Sequence, residues 1–201
     1  MASTTQAMQP LRSAVGVSAT TSTAERTSAS GIWVAMFAIT MSFAAFTSAL
    51  FIRQAATDWT HLLIPKVLIG NTIVLILSGF VLESGRRTLL ASEGGRSRGR
   101  ALVVLSLLLG VVFLGGQYLA WRQLAAQGLY LATSPNSSFF YVFTFMHGVH
   151  VFGGILALAY LCWHLASNRM VRRSLLSGVA TYWHFMAALW VYLLIVMYSR
   201  L

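Results

Sequence analysis

Two histidines, His147 and His150, stand three residues apart in the stretch FYVFTFMHGVHVFGGILALAYL, Phe140 to Leu161. On a helix, positions i and i+3 share a face, and Gly154 continues the same stripe. Imidazoles so placed can supply half of a metal site, and a b-type haem needs two of them facing each other across the macrocycle. The partners available at other positions are His164 on the same segment and His184 near the C-terminus. Measured from the basic residues that end each segment at about 1.5 Å per residue, His150 lies roughly 28 Å up, His184 roughly 16 Å and His164 roughly 8 Å. These levels do not match, which disfavours a shared metal. The alternative is a neutral ring bonded to a backbone carbonyl, to a hydroxyl such as Thr144, or to a neighbouring helix, a bond worth about 0.6 to 2 kcal/mol in a membrane. Gly148, Gly153, Gly154, Ala157, Ala187 and Ala188 favour that use, because small residues let helix backbones come close.

The segments that must position these residues are unusually apolar. Of the 201 residues, 57% are hydrophobic and only 9% are charged, a balance that a soluble domain of this size could not carry without large exposed apolar patches. Five apolar runs, Gly31 to Ile52, Val67 to Leu82, Ala101 to Trp121, Phe139 to Ala166 and Leu175 to Tyr198, are each long enough to cross a bilayer core of about 30 Å, the second by borrowing flanking residues. An all-α, five-helix transmembrane bundle follows, with helices at about 31–53, 65–84, 101–121, 139–166 and 175–198. Residues 1–30 are rich in Ala, Ser and Thr without a signal-like apolar run, and read as a poorly ordered cytoplasmic tail before a single membrane domain, 31–201.

The formal charge of +10 does not point to nucleic acid, because the arginines lie in short clusters between the apolar runs and not along one polar face. Arg12, Arg26, Arg86, Arg87, Arg96, Arg98, Arg100, Arg169, Arg172 and Arg173 fall on one side of the membrane, against Arg53, Lys66, Arg122 and Arg200 on the other. The positive-inside rule therefore puts the N-terminus in the cytoplasm and the C-terminus outside, on the periplasmic side in a bacterium. Arg169, Arg172, Arg173 and His164 also form a group suited to anionic lipid head groups. The single cysteine, Cys162, excludes an internal disulfide and a thiolate metal cage. Asp58, Glu25, Glu83 and Glu93 all fall at or beyond the ends of the apolar runs, and Pro10, Pro65 and Pro135 all lie outside them. A pump or transporter normally places carboxylates and broken helices near the midplane, so autonomous ion transport is not expected.

Several motifs agree on one family. MHGVHVFGG (146–154) resembles the His-Gly-x-His-Val-x-x-Gly signature of subunit III of haem-copper respiratory oxidases, and YWHFMAALWVYLLIVMYS (182–199) is similar to that family's final Tyr-Trp-His-Phe helix. LLIPKVLIGNTIVLILSGF (62–80) resembles its Pro...Asn-Thr...Ser helix, FLGGQYLAWRQL (113–124) its Gln-x-x-x-Trp segment, and SSFFYVFTFMHG (137–148) its Phe-Phe lead-in. The likeness covers about residues 31 to 201, and the chain resembles the five-span bacterial forms, which include quinol oxidase subunits and the small subunits of nitric oxide reductases.

The resemblance implies a non-catalytic subunit in the bacterial inner membrane, without a cofactor of its own. It implies haem and copper in a partner subunit I, copper in a subunit II, bound phospholipid, and assembly with subunits I and II and with a small subunit IV or a larger supercomplex. His147, His150, Gly154 and His184 are then helix-packing residues. Three departures bear on proton uptake: the glutamate of the family's first shared helix is missing from WVAMFAITMSFAAFTSALFIR (33–53), the aspartate of its closing helix is Ala187, and the glutamate before the outer tryptophan is Ala120. A small b-type cytochrome or quinol-binding protein using His164 and His184 is the reading from a different class. Trp33, Phe37, Phe43, Phe46, Trp163, Trp190 and Tyr192 are expected on outer faces, and Trp59, Trp121 and Tyr130 in an interfacial aromatic belt.

Overall fold

A computed structural model describes residues 8–55, 65–91, 96–167 and 171–201, with side chains from residue 30 onward. It is all-helical: α1 (Met8–Arg53), α2 (Val67–Ala91), α3 (Arg96–Ala126), α4 (Pro135–Ala166) and α5 (Arg173–Arg200). Each contains a stretch long and apolar enough to cross a membrane, Ser30–Arg53 in α1 and the full length of the other four. The helices overrun the expected limits because arginine and serine are tolerated in a helix once it leaves hydrocarbon, so hydropathy marks the membrane and not the helix end. α1 begins at Met8, upstream of the expected start at 31, with Pro10 in its first turn, where a missing N–H breaks no helical bond. Asp58, Trp59, Glu93 and Arg169 lie outside the described residues, as does the side chain of Glu25.

Local signals set the outer turn between α3 and α4. Gly128, at φ 77°, takes the left-handed position after α3, and the amides of Gly128 and Leu129 reach back to the carbonyls of Ala125 and Leu124 at 3.0 and 3.2 Å. Those two bonds satisfy carbonyls that have no partner further along the helix. α4 opens with Ser134 and Ser137 bonding each other's backbone N–H at 3.2 Å, and Pro135 occupies the first helical position.

α2, α3, α4 and α5 form a square in which α2 packs on α3 and α5, and α4 packs on the same two. α1 stands outside it against α5 and α4. Near one end of the α2–α3 pair the backbones nearly touch, since a Cβ at Gly85 would lie 3.2 Å from the Gly99 carbonyl oxygen.

Two tryptophans of α5, two turns apart, fill the centre. Trp183 is buried, its indole N–H donates to Ser78 Oγ of α2 at 2.8 Å, and its ring lies against Gly110 of α3 and Gly154 of α4, where an added Cβ would come within 2.7 and 3.0 Å of ring carbons. Ser78 is itself tied to α3, because Ser106 Oγ donates to the Ser78 carbonyl at 2.9 Å. Trp190 is fully buried, donates to Thr72 Oγ1 of α2 at 2.9 Å, meets Phe113 of α3 edge-on at 5.2 Å and overlies His147 of α4 at 4.9 Å. Each tryptophan thus touches all three other helices of the square. Weaker clasps join the rest: Trp121 Nε1 to Thr144 Oγ1 at 2.9 Å between α3 and α4, and Tyr192 Oη to Thr47 Oγ1 at 3.1 Å between α5 and α1.

The expected outer aromatic face is therefore corrected. Trp33, Phe37, Trp163 and Tyr192 are exposed, but Phe43 and Trp190 are buried and Phe46 is partly buried. Trp121 is a part-buried seam residue and not a free belt residue, while Tyr130 is exposed. A helix that is apolar all round gives no stripe from which inside can be told from outside.

The same substitution should behave oppositely at two glycines of α3. Gly110→Ala drives a methyl into Trp183 and should cost about 1 to 3 kcal/mol, whereas Gly115→Ala enters open space and should be neutral or raise stability by up to about 1 kcal/mol. Thermal unfolding in mild detergent reads the difference. A double-mutant cycle of Trp190→Phe with Thr72→Val should return a coupling of about 0.6 to 1.7 kcal/mol, against near zero for Trp190→Phe with the distant Thr40→Val.

Candidate helix-packing site around His147 and His150

The i, i+3 spacing sets the two imidazoles about 60° apart around α4, so they straddle the helix's inward face. His147 points to the centre of the square and is fully buried between Trp190 and Phe113, with ring centroids at 4.9 and 5.9 Å. His150 turns toward α1, where its ring meets Phe43 at 5.9 Å. Its Nδ1 pairs with the Met146 carbonyl one turn back at 2.6 Å, and its own carbonyl accepts the Tyr182 hydroxyl of α5 at 3.0 Å. Gly154, two turns beyond His147 on α4, is the seat for the Trp183 ring. The HGVHVFGG segment thus brings α1, α3 and α5 against α4 through consecutive positions.

His147 differs from expectation in one respect. Neither ring nitrogen has a hydrogen-bond partner among the described residues, and Thr144 is engaged elsewhere, donating to the Phe140 carbonyl at 2.7 Å and accepting from Trp121. The Gln117 amide of α3 and the Asn136 amide of α4 are likewise buried without a partner. Gln117 was visible in the sequence only as the first residue of the Gln-x-x-x-Trp segment, and nothing in its type or spacing marks it as buried.

His184 lies away from this group. Its Nδ1 sits over Gly79 of α2, and its Nε2 is 3.9 Å from a Glu83 carboxylate oxygen. Glu83 is held by Arg86 through two bonds of 2.8 Å and by Arg87 through one more. The carboxylate is thereby neutralised on its own helix, about two turns before the end of α2. His164 packs against Tyr160 and Trp163 at 4.5 and 5.3 Å on the outer side of α4. The structure therefore gives His164 and His184 different surroundings and does not bring them together across a macrocycle. Among the described residues no three His, Cys, Asp or Glu side chains gather in a way that would hold a metal ion. Arg172 and Arg173 are exposed at the start of α5.

The arrangement is one of ring packing between helices. Imidazole, indole and phenyl rings interlock, and hydroxyl and carbonyl groups fix the rotation of the two indoles and of His150. A family model described as cytochrome c oxidase subunit III matches residues 23–200. The chain is 32% identical over 163 residues to cytochrome c oxidase subunit 3 of Thermostichus vulcanus, covering 76% of this chain and 77% of that one. It is 32% identical over 130 residues to probable cytochrome c oxidase subunit 3 of Mycobacterium bovis, covering 63% of each. Cytochrome c oxidase subunit 3 of Corynebacterium diphtheriae is 32% identical over 141 residues, 69% of this chain and 67% of the relative. The chain spans somewhat less than two thirds of the length of the mycobacterial relative. With five helices among the described residues long and apolar enough to cross a membrane, and with bacterial relatives, it is a multi-pass protein of the bacterial inner membrane. From the motif order of α2 to α5 and a match that runs from α1 to the last helix, the chain belongs to the cytochrome c oxidase subunit III family.

Proposed function

We propose that this chain is a non-catalytic subunit of a haem-copper terminal oxidase, one that packs on the catalytic subunit I, retains phospholipid and keeps the complex intact. The observation that carries the reading is the match of residues 23–200 to the subunit III family. The side chains support it: His147, His150, Gly154 and His184 each serve a helix contact, and the histidines that a haem would need face different neighbours. Haem and copper then belong to subunit I, with further copper in subunit II. The relatives named cytochrome c oxidase subunit 3 favour cytochrome c over quinol as the electron donor of the assembly.

Association with subunit I would use the apolar surface left on α1, where Trp33, Val34, Phe37 and Met41 are exposed. Between helices in hydrocarbon the gain comes from dispersion contacts and not from removing apolar surface from water. The orientation that goes with this reading is N-terminus inside and C-terminus outside, which the arginine distribution supports. Arg172 and Arg173, with His164 nearby in the interface and Arg169, would then meet anionic phospholipid head groups on the cytoplasmic side. Residues 1–30 would precede the membrane domain 31–201 on that side. The missing family carboxylates at Ala187 and Ala120 leave this chain to act by packing and lipid retention without a titratable group at those positions.

The test is to purify the tagged chain from its host membrane in mild detergent. A haem- and copper-containing oxidase should come with it, and the chain expressed alone should show no Soret band. A Soret band in the isolated chain overturns the reading. Within the complex, His147→Ala should lower thermal stability by about 2 to 3 kcal/mol through the cavity left beside Trp190, and His150→Ala by less, with the reduced-minus-oxidised haem spectrum unchanged in both.

A further inference from the structure

We propose that Gln117 and His147 form a buried hydration site, holding water in the seam between α3 and α4. Both side chains are sealed, His147 at 0% and Gln117 at 3% exposure. Both nitrogens of the imidazole and both polar atoms of the amide lack a protein partner, so no hydrogen bond joins the two directly. They nevertheless share one level. Phe113, one turn before Gln117, meets the His147 ring at 5.9 Å, and Trp121, one turn after it, bonds Thr144, which lies within a turn of His147. The Gln117 side chain is bracketed by these two contacts. α2 forms a further wall, because Asn71 Nδ2 donates to the Phe113 carbonyl at 2.9 Å and its amide lies against Gly116.

Unpaired amides and imidazoles are costly away from water, and natural interiors satisfy such groups. The chemistry on offer suits one small ligand: an amide that donates and accepts beside an imidazole that does both, which together give a water the two to four bonds it needs. Because the polar atoms are closed off from outside, a lipid chain or head group cannot reach them. Room exists alongside. A groove of about 240 Å³, walled by Leu114, Tyr118, Trp121, Phe145, Gly148 and Phe152, is also lined by Gln117, whose amide atoms stay closed off from it. The absence of a side chain at Gly148 keeps that wall open, since a Cβ there would meet only Leu114, at 4.0 Å.

Trp190 supplies the internal control. Its ring lies against the same His147 imidazole, but its indole N–H is closed by Thr72. The experiment is polarisation transfer from water protons to side-chain ¹⁵N in solid-state NMR, on the full chain labelled at Gln, His and Trp and reconstituted in lipid bilayers. Gln117 and His147 should receive water magnetisation about threefold or more faster than the Trp190 indole, as groups bonded to an internal water would. In Gln117→Leu the His147 rate should fall to that of Trp190. Equal rates in the wild-type chain, or a direct coupling across a Gln117–His147 hydrogen bond, would overturn the proposal, and the wild-type measurement decides alone should the variant fail to assemble.

Discussion

An indole N–H inside a membrane has no bulk water to turn to, so a buried tryptophan dictates which neighbour must stand beside it. Trp183 and Trp190 impose this condition twice on α5, and Ser78 and Thr72 of α2 meet it. The sums of the paired positions are nearly constant, as antiparallel helices require, so the two bonds fix the register of α2 on α5. Everything else in the square is arranged around the two rings: glycines at 110 and 154 make room for one, and Phe113 and His147 close on the other. Each bond contributes only about 0.6 to 2 kcal/mol, but each is directional, and direction is what packing between uniformly apolar helices lacks.

The histidine pair takes its meaning from that arrangement. His147 is an aromatic slab that completes the Trp190 layer, while His150 uses its polar edge on its own helix and its face on Phe43. Two identical residues three apart thus serve two different helix contacts. The charged groups stay at the periphery, where Glu83 is clamped by Arg86 and Arg87 and reaches toward His184. This interior of interlocked rings agrees with the packing role proposed above for a chain of the cytochrome c oxidase subunit III family.

The five crossings were legible because length and hydropathy alone determine them, and the motifs of α2, α3, α4 and α5 were enough to suggest the family. The interior was less legible, for a physical reason. In a soluble helix Trp190 and Trp163 would be sorted by periodicity, but where lipid is as apolar as the core one is buried and the other exposed with no difference in the pattern around them. Depth reckoning from the arginines put His150 and His184 about 12 Å apart, but with His147 on Trp190 and Gly154 against Trp183 the two lie within about one turn of the same level, and what separates them is that His150 faces α1 and His184 faces α2. Gln117 looked like one polar residue in an apolar run. Only its burial and the bracketing contacts at Phe113 and Trp121 reveal that it is enclosed at the level of an equally unpartnered imidazole.

The central claim is that the α2–α5 seam, bolted by two indoles, is the most persistent part of the bundle, with α1 laid outside the square against α4 and α5. Residue-resolved hydrogen exchange on the chain in lipid nanodiscs measures this directly. The account predicts slowest exchange at residues 72–78 and 183–190 and distinctly faster exchange along the Ser30–Arg53 span. Exchange along that span as slow as in the seam, or early opening of the seam itself, would contradict it.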